Sequence, residues 1–209
     1  MSMGRPSLRE KILEAGVTVV HERGFAQSGI REITGAAGAP QGSFTNHFAS
    51  KEAFGLAVLD RYVERTQAIM DATLRDPGRP PLDRLRAYFD VITGLLQGVD
   101  WRYGCLVGNM GLEAAEHSEP LRDRLSRAFS ELQEPFAAAL GAAQAAGDIR
   151  TDVSADELAG LLLSAWYGAM LRMKVDRSPV ALDLFKQVFL ATLLAPVSAA
   201  PASAAPASP

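Results

Sequence analysis

The stretch from Gly24 to Glu52, GFAQSGIREITGAAGAPQGSFTNHFASKE, decides how the rest of the chain is read. Ile30 and Ile33 fall on one face of a short helix over about Gly29–Ala37, and Ala36 and Ala37 extend that face. Glu32 lies near the positive end of this helix. Gly38 closes it, and Pro40 stands where a first helical position loses nothing by lacking an N–H. A following helix is expected from about Pro40 to Phe48. In it Phe44 and Phe48 anchor inward, while Gln41, Ser43, Thr45, Asn46 and His47 face outward. Gly42 would let the backbone come close to a partner. Two short helices about a glycine turn are the make-up of a helix-turn-helix, whose second helix lies in the DNA major groove. A plain helix corner at the start of a bundle would show the same periodicity.

Working outward, Leu8, Ile12, Ala15 and Val19 line one face of a helix from about Ser7 to Glu22. Ser7 caps it, Gly24 stops it, and Phe25 follows as an apolar anchor. Downstream, Ser50 caps a helix beginning at Lys51, whose stripe of Phe54, Val58, Tyr62 and Ile69 reaches about Arg75. The run Asp76-Pro77-Gly78-Arg79-Pro80-Pro81 breaks it. Helical periodicity then recurs at about 82–97, 105–116, 119–146, 155–175 and 180–195, with a loop from Gly98 to Gly104 holding Trp101 and Tyr103. Ser154 and Glu157 form a capping box. No strand-period run occurs, so the expected fold is all-α with about nine helices. A three-helix head would occupy 1–50 and a helical body 51–195. Residues 196–209 contain only Pro, Ala, Ser and one Val, too little apolar surface to offset ordering entropy, and are expected to be disordered.

Composition narrows the function. Of 209 residues, 48% are apolar and 22% charged, which fits a packed core. The single cysteine, Cys105, excludes a disulfide framework and a Cys-rich zinc site. The longest apolar stretch, Leu158 to Met170, is too short to span a bilayer, and the N-terminus shows no export signal. A cytoplasmic protein without a membrane partner is expected. The net charge is −3, but residues 1–51 carry +2, leaving −5 on the remainder, so one mildly basic end could face phosphate. Only three histidines are present, and no HExxH, GxSxG, P-loop or GxGxxG pattern appears. Glu113 and His117, one turn apart, read as a solvated ion pair rather than a metal site. Neither enzymatic activity, nor a cofactor, nor a metal is expected. A helical protein-interaction adaptor remains the alternative of a different class.

Gly24-Phe25, Ile30-Arg31-Glu32-Ile33, Ala36-Ala37-Gly38, Gly42 to Phe48 and Ser50-Lys51-Glu52 together resemble the N-terminal signature of TetR-type transcriptional regulators over about 45 contiguous residues. The resemblance implies an all-helical homodimer whose heads read a palindromic double-stranded DNA operator and whose bodies bind a small-molecule inducer and dimerise, most simply as a repressor. Sequence would then be read by Arg31, Gln41, Ser43 and Asn46, close to the Gly42 backbone, with Ser28, Thr45, His47 and Lys51 as phosphate contacts. Thr45 stands where the family usually has tyrosine, which shortens the reach of that hydroxyl. Gly29 stands where the family caps its second helix with Ser or Thr, leaving Ser28 as the substitute cap.

Cys105 follows a glycine and opens a helix, where unpaired amides and the helix dipole would favour a thiolate. The plainer reading is a small buried apolar residue. Pro40-x-Gly42-Ser43-Phe44, Ser50 to Gly55, Gly104-Cys105-Leu106, Glu113 with Ser118-Glu119, and Leu171-x-x-Lys174 before Arg177-Ser178 resemble the branch of the family that contains the N-ethylmaleimide reductase repressor and acrylate-responsive regulators. That resemblance implies a redox or electrophile sensor made of Cys105 and Lys174. A reversibly bound unsaturated or aromatic inducer, with Cys105 structural, is equally admissible, and charge alone would account for Lys174 at a helix C-terminus. Trp101, Tyr103, Asn109, Met110, Phe136, Trp166, Tyr167, Met170 and Met173 are candidates for an inducer pocket or, as plain core, for packing. The last two helices are apolar on more than one face, which places Leu162, Trp166, Leu182, Phe185 and Phe189 in the expected dimer interface.

Overall fold

A computed structural model describes residues 6–189 and 194–195, and its regular elements among these are all α-helical. α1 (Leu8–Arg23) starts where Ser7 Oγ accepts from the Glu10 N–H at 3.2 Å. It ends at Gly24, whose φ of +88° with ψ 157° is a conformation open essentially to glycine alone. α2 (Ile30–Ala36) ends at a turn in which Gly38 takes φ +62°. α3 (Ser43–His47) is shorter than its sequence pattern suggests, because Pro40, Gln41 and Gly42 form a turn that leads into it. In that turn the Ser43 N–H donates to the Pro40 carbonyl at 2.9 Å.

α4 (Lys51–Thr73) is capped by Ser50, which accepts from the Ala53 N–H at 3.0 Å. It runs out of the head and into the body, packing on both α1 and α7. Arg61 of α4 binds both Glu10 and Glu14 of α1, and Arg65 also binds Glu14, pinning the two helices together.

The body consists of α5 (Pro81–Gln97), α6 (Leu106–Ala114), α7 (Glu119–Ala145), α8 (Ala155–Asp176) and α9 (Val180–Val188). α8 begins with the complete Ser154–Glu157 capping box. Its core is an aromatic cluster: Phe89 lies 4.7 Å from Trp166 and 5.8 Å from Phe136, and Trp166 lies 5.1 Å from Phe185. Within α7, Pro135 has no N–H to donate to the Glu131 carbonyl. Gln67 of α4 donates to that carbonyl instead, at 2.7 Å. The sequence pattern carries the last helix to 195; residues 190–193 and the expected disordered tail from Pro196 lie outside the described residues. No described helix is long and apolar enough to cross a membrane.

Candidate functional site

The head is built to present one small helix. Phe44 and Phe48 are buried and meet Phe54 of α4 at centroid distances of 5.2 and 4.9 Å, as a three-ring cluster that seats α3. With those rings turned inward, Gln41, Gly42, Thr45 and Asn46 are exposed and Ser43 and His47 half-buried, while Arg31 is exposed on α2. Gly42 has an ordinary helical conformation, and a Cβ there would meet nothing within 4 Å, so the surface beside it is open. Lys51 is half-buried, with its Nζ over the Phe25 ring and donating to the Ala26 carbonyl at 2.9 Å. Its other two N–H directions are those a phosphate oxygen could use.

Ser28 departs from expectation. It is fully buried, and its hydroxyl donates to the Gly24 carbonyl at 2.6 Å. It neither caps α2, whose N-cap Gly29 lacks a side-chain bond, nor can offer its side chain to DNA phosphate.

The body holds a cavity of about 590 Å³ between α6, α7 and α8. Among the candidates it brings together Cys105, Asn109, Tyr167 and Lys174, and Gly108, Leu112, Phe129, Gln133, Ser164 and Leu171 are among the other residues of the wall. The lining is largely apolar, with a few convergent polar groups, as small-molecule sites are. The helix dipole does not set the ionisation of Cys105. Burial pushes its thiol above the ordinary value, and the Gly108 amide, the Tyr62 hydroxyl and the Val107 amide offset this only in part. This direction is opposite to the one that a helix start alone would give.

Several candidates belong to the core instead. Met110, Phe136 and Trp166 are buried in the packing between helices and do not line this cavity, nor does Met173, which is fully buried. Tyr103 and Met170 line a separate cleft of about 290 Å³ against α1 and α4. Trp101 lies in the loop before α6, where its carbonyl accepts from Arg177. The expected dimer residues Leu162, Trp166, Leu182, Phe185 and Phe189 are likewise buried within the protomer. Each of these helices is apolar on two faces, and the body of the protomer itself covers the face that carries these residues. The outward residues are Leu161, Leu171 and Val175 on α8 and Val180, Leu184 and Val188 on α9, with Val175 73% and Val180 69% exposed.

Sequence reasoning also missed how the body grips the head. His21 Nε2 bonds the Gly104 carbonyl at 2.6 Å, and Tyr103 donates to Glu22 at 2.6 Å, so the loop before α6 is fastened to the end of α1. At the other end of α6, Glu113 accepts from the Ala26 N–H at 2.7 Å, in place of the expected pair with His117. Ser118, at the turn into α7, donates to Glu52 at 2.6 Å. These contacts join residues far apart in sequence and leave no local pattern.

A small helix seated by its aromatic side, followed by a helical body with a cavity, defines a helix-turn-helix regulator. Residues 12–58 match the family model described as bacterial regulatory proteins, tetR family, and residues 81–189 match the tetracyclin repressor-like C-terminal domain. The chain belongs to the TetR family of bacterial transcriptional regulators. It is 41% identical over 192 residues to the HTH-type transcriptional repressor DhaR of Mycobacterium sp. strain GP1, covering 92% of this chain and 95% of that protein. A crystal structure of the regulatory protein TetR from Rhodobacter sphaeroides superposes with a TM-score of 0.84 at 32% identity, over 88% of this chain and 98% of that one. Reduced NemR of Escherichia coli gives 0.76 at 28%, over 90% and 98%.

Proposed function

We propose that the chain is a homodimeric repressor that grips a palindromic operator with one α3 from each copy and releases it when a small molecule fills the α6–α7–α8 cavity. The observation that carries this reading is the position of α6, which forms a cavity wall with Cys105, Gly108, Asn109 and Leu112 and is fastened to the head at both ends. The repressor sign follows the name of DhaR, 41% identical along nearly the whole chain. Residues 1–50 serve as the DNA-binding domain and 51–195 as the ligand and dimer domain. α4 is shared between them mechanically, and the protein works in the cytoplasm, where operators are.

The outward apolar faces of α8 and α9 pair with their copies about a two-fold axis, which sets the two α3 helices about 34 Å apart on successive major-groove faces. Reversible occupancy fits Cys105 better than covalent capture, since burial disfavours the reactive thiolate. A second reading, oxidation or alkylation of Cys105, is favoured by the place of that thiol in the wall of the cavity that Lys174 also lines. The test is enrichment of genomic fragments by purified protein, with mild hypochlorite and with a panel of small apolar compounds. Release by a compound from both parent and Cys105→Ser supports reversible sensing. Release by hypochlorite from parent alone supports the covalent switch, and failure to enrich any duplex refutes the regulator reading.

A further inference from the structure

Between α6 and the head lies a carboxylate that the DNA and ligand sites do not use. Glu113 is the penultimate residue of α6, one turn after Asn109 of the cavity wall and next to Leu112. Its Oε2 accepts from the Ala26 N–H. Its Oε1 lies where a side chain on residue 24 would be: a Cβ on Gly24 would approach that oxygen to 2.4 Å. Glycine at 24 therefore does two things. It supplies a backbone conformation other residues resist, and it leaves the recess that the carboxylate fills.

The loop so gripped is fixed to the head on its other side. The Ala26 carbonyl accepts from Lys51, and the Gly24 carbonyl accepts from the buried Ser28. A displacement of α6 thus reaches residues 24–28 through a charge-assisted bond to the main chain, not through a deformable side-chain packing.

We infer that Glu113 is a positioning residue that converts movement of the cavity wall into movement of the DNA-reading head. The inference rests on the proposed release by cavity occupancy and assigns the link within it. Without Glu113 the head keeps its seat through the α1–α4 ion pairs and the three-ring cluster, so DNA affinity persists while the response to the cavity fades.

The experiment fills the cavity by substitution, in the full chain. Gly108→Phe and Ser164→Trp enter from facing walls, α6 and α8, so a folding failure in one leaves the other. Each is combined with Glu113→Ala and with Glu113→Gln, whose amide oxygen can still accept from Ala26. Binding is read by anisotropy on a duplex selected by the parent protein. With Glu113 present, a filler weakens binding by roughly tenfold or more; with Glu113→Ala the same filler costs less than about threefold, and Glu113→Gln restores much of the response. Equal losses with and without Glu113 overturn the inference alone. Fillers without effect on the parent overturn the release reading, and the link with it. A loss of roughly tenfold from Glu113→Ala by itself shows a purely structural role and also overturns the inference.

Discussion

Gly16 lies inside α1, where alanine would ordinarily be the better helix former by about 1 kcal/mol. Here the opposite outcome is expected. A Cβ at residue 16 would come within 2.1 Å of Phe54 Cζ, and ordinary contact begins at 3.4 Å, so the ring must retreat by at least 1.3 Å. Phe54 is fully buried between Phe44 and Phe48, and the retreat is passed to α3. Overpacking of this kind costs about 1–3 kcal/mol, leaving Gly16→Ala roughly 0–2 kcal/mol less stable once the propensity gain is counted. At about 2–4 °C per kcal/mol for a chain of this length, the melting temperature falls by up to about 8 °C. DNA binding suffers more. Losing one base-edge contact costs about 1–3 kcal/mol, or roughly 5- to 150-fold in affinity. Gly94→Ala in α5 is the control, since its Cβ meets nothing within 4 Å. That variant is expected to gain up to about 1 kcal/mol and bind DNA as the parent does. Thermal melts and anisotropy titrations of both variants decide the matter. If Gly16→Ala melts above the parent and holds the duplex equally well, the packing of α1 on Phe54 is not what seats α3.

Lys51→Ala is expected to weaken binding to all duplexes alike and to reduce the slope of log K against log salt by about one; titrations at several salt concentrations check this, and an unchanged slope removes Lys51 from the phosphate contacts. Burial holds the His21 imidazole below its ordinary value, against the pull of the Gly104 carbonyl and with help from the nearby Lys174 charge. The unfolded chain therefore takes up the proton first, so stability is level above about pH 7 and declines as pH falls below 6.5, until the lowered folded value is passed. Melts between pH 8 and pH 5 should show this decline in the parent and a flatter profile in His21→Phe, beyond the carboxylate background common to both. Leu184→Asp, on the outward face of α9, is expected to leave the protomer folded but to yield monomers in analytical ultracentrifugation; an intact dimer would place the interface elsewhere.

Local chemistry made most of the head legible. Gly24, the Ser50 cap and the Phe44–Phe48 spacing each report on residues within a turn or two, and the structure places them as that chemistry requires. The body was legible as helices but not as surfaces. Phe185 and Leu184 are neighbours in sequence, both apolar, yet one packs against Trp166 and the other faces outward, a distinction set by which face α9 turns to the body. Cys105 shows the same limit for electrostatics. Its place at a helix start can be read from sequence, but its burial depends on α4, α6 and α8 meeting there, and burial governs the thiol. Ser28 fails for a related reason: a serine near a helix start suggests a cap, and only the fold of the Gly24 loop turns its hydroxyl backwards.

The proline in α7 bears on how α4 can move. By withholding one amide, Pro135 leaves a main-chain oxygen at Glu131 facing a neighbour, and Gln67 holds it. A side-chain contact between helices can slip to the next ridge, whereas an oxygen set in the peptide framework marks a fixed height along α7. Sliding of α4 lengthwise must break that tether, while pivoting about it need not. The helix that carries the DNA-reading end is thus hung on α7 as a lever on a pin, with tilting its easier motion.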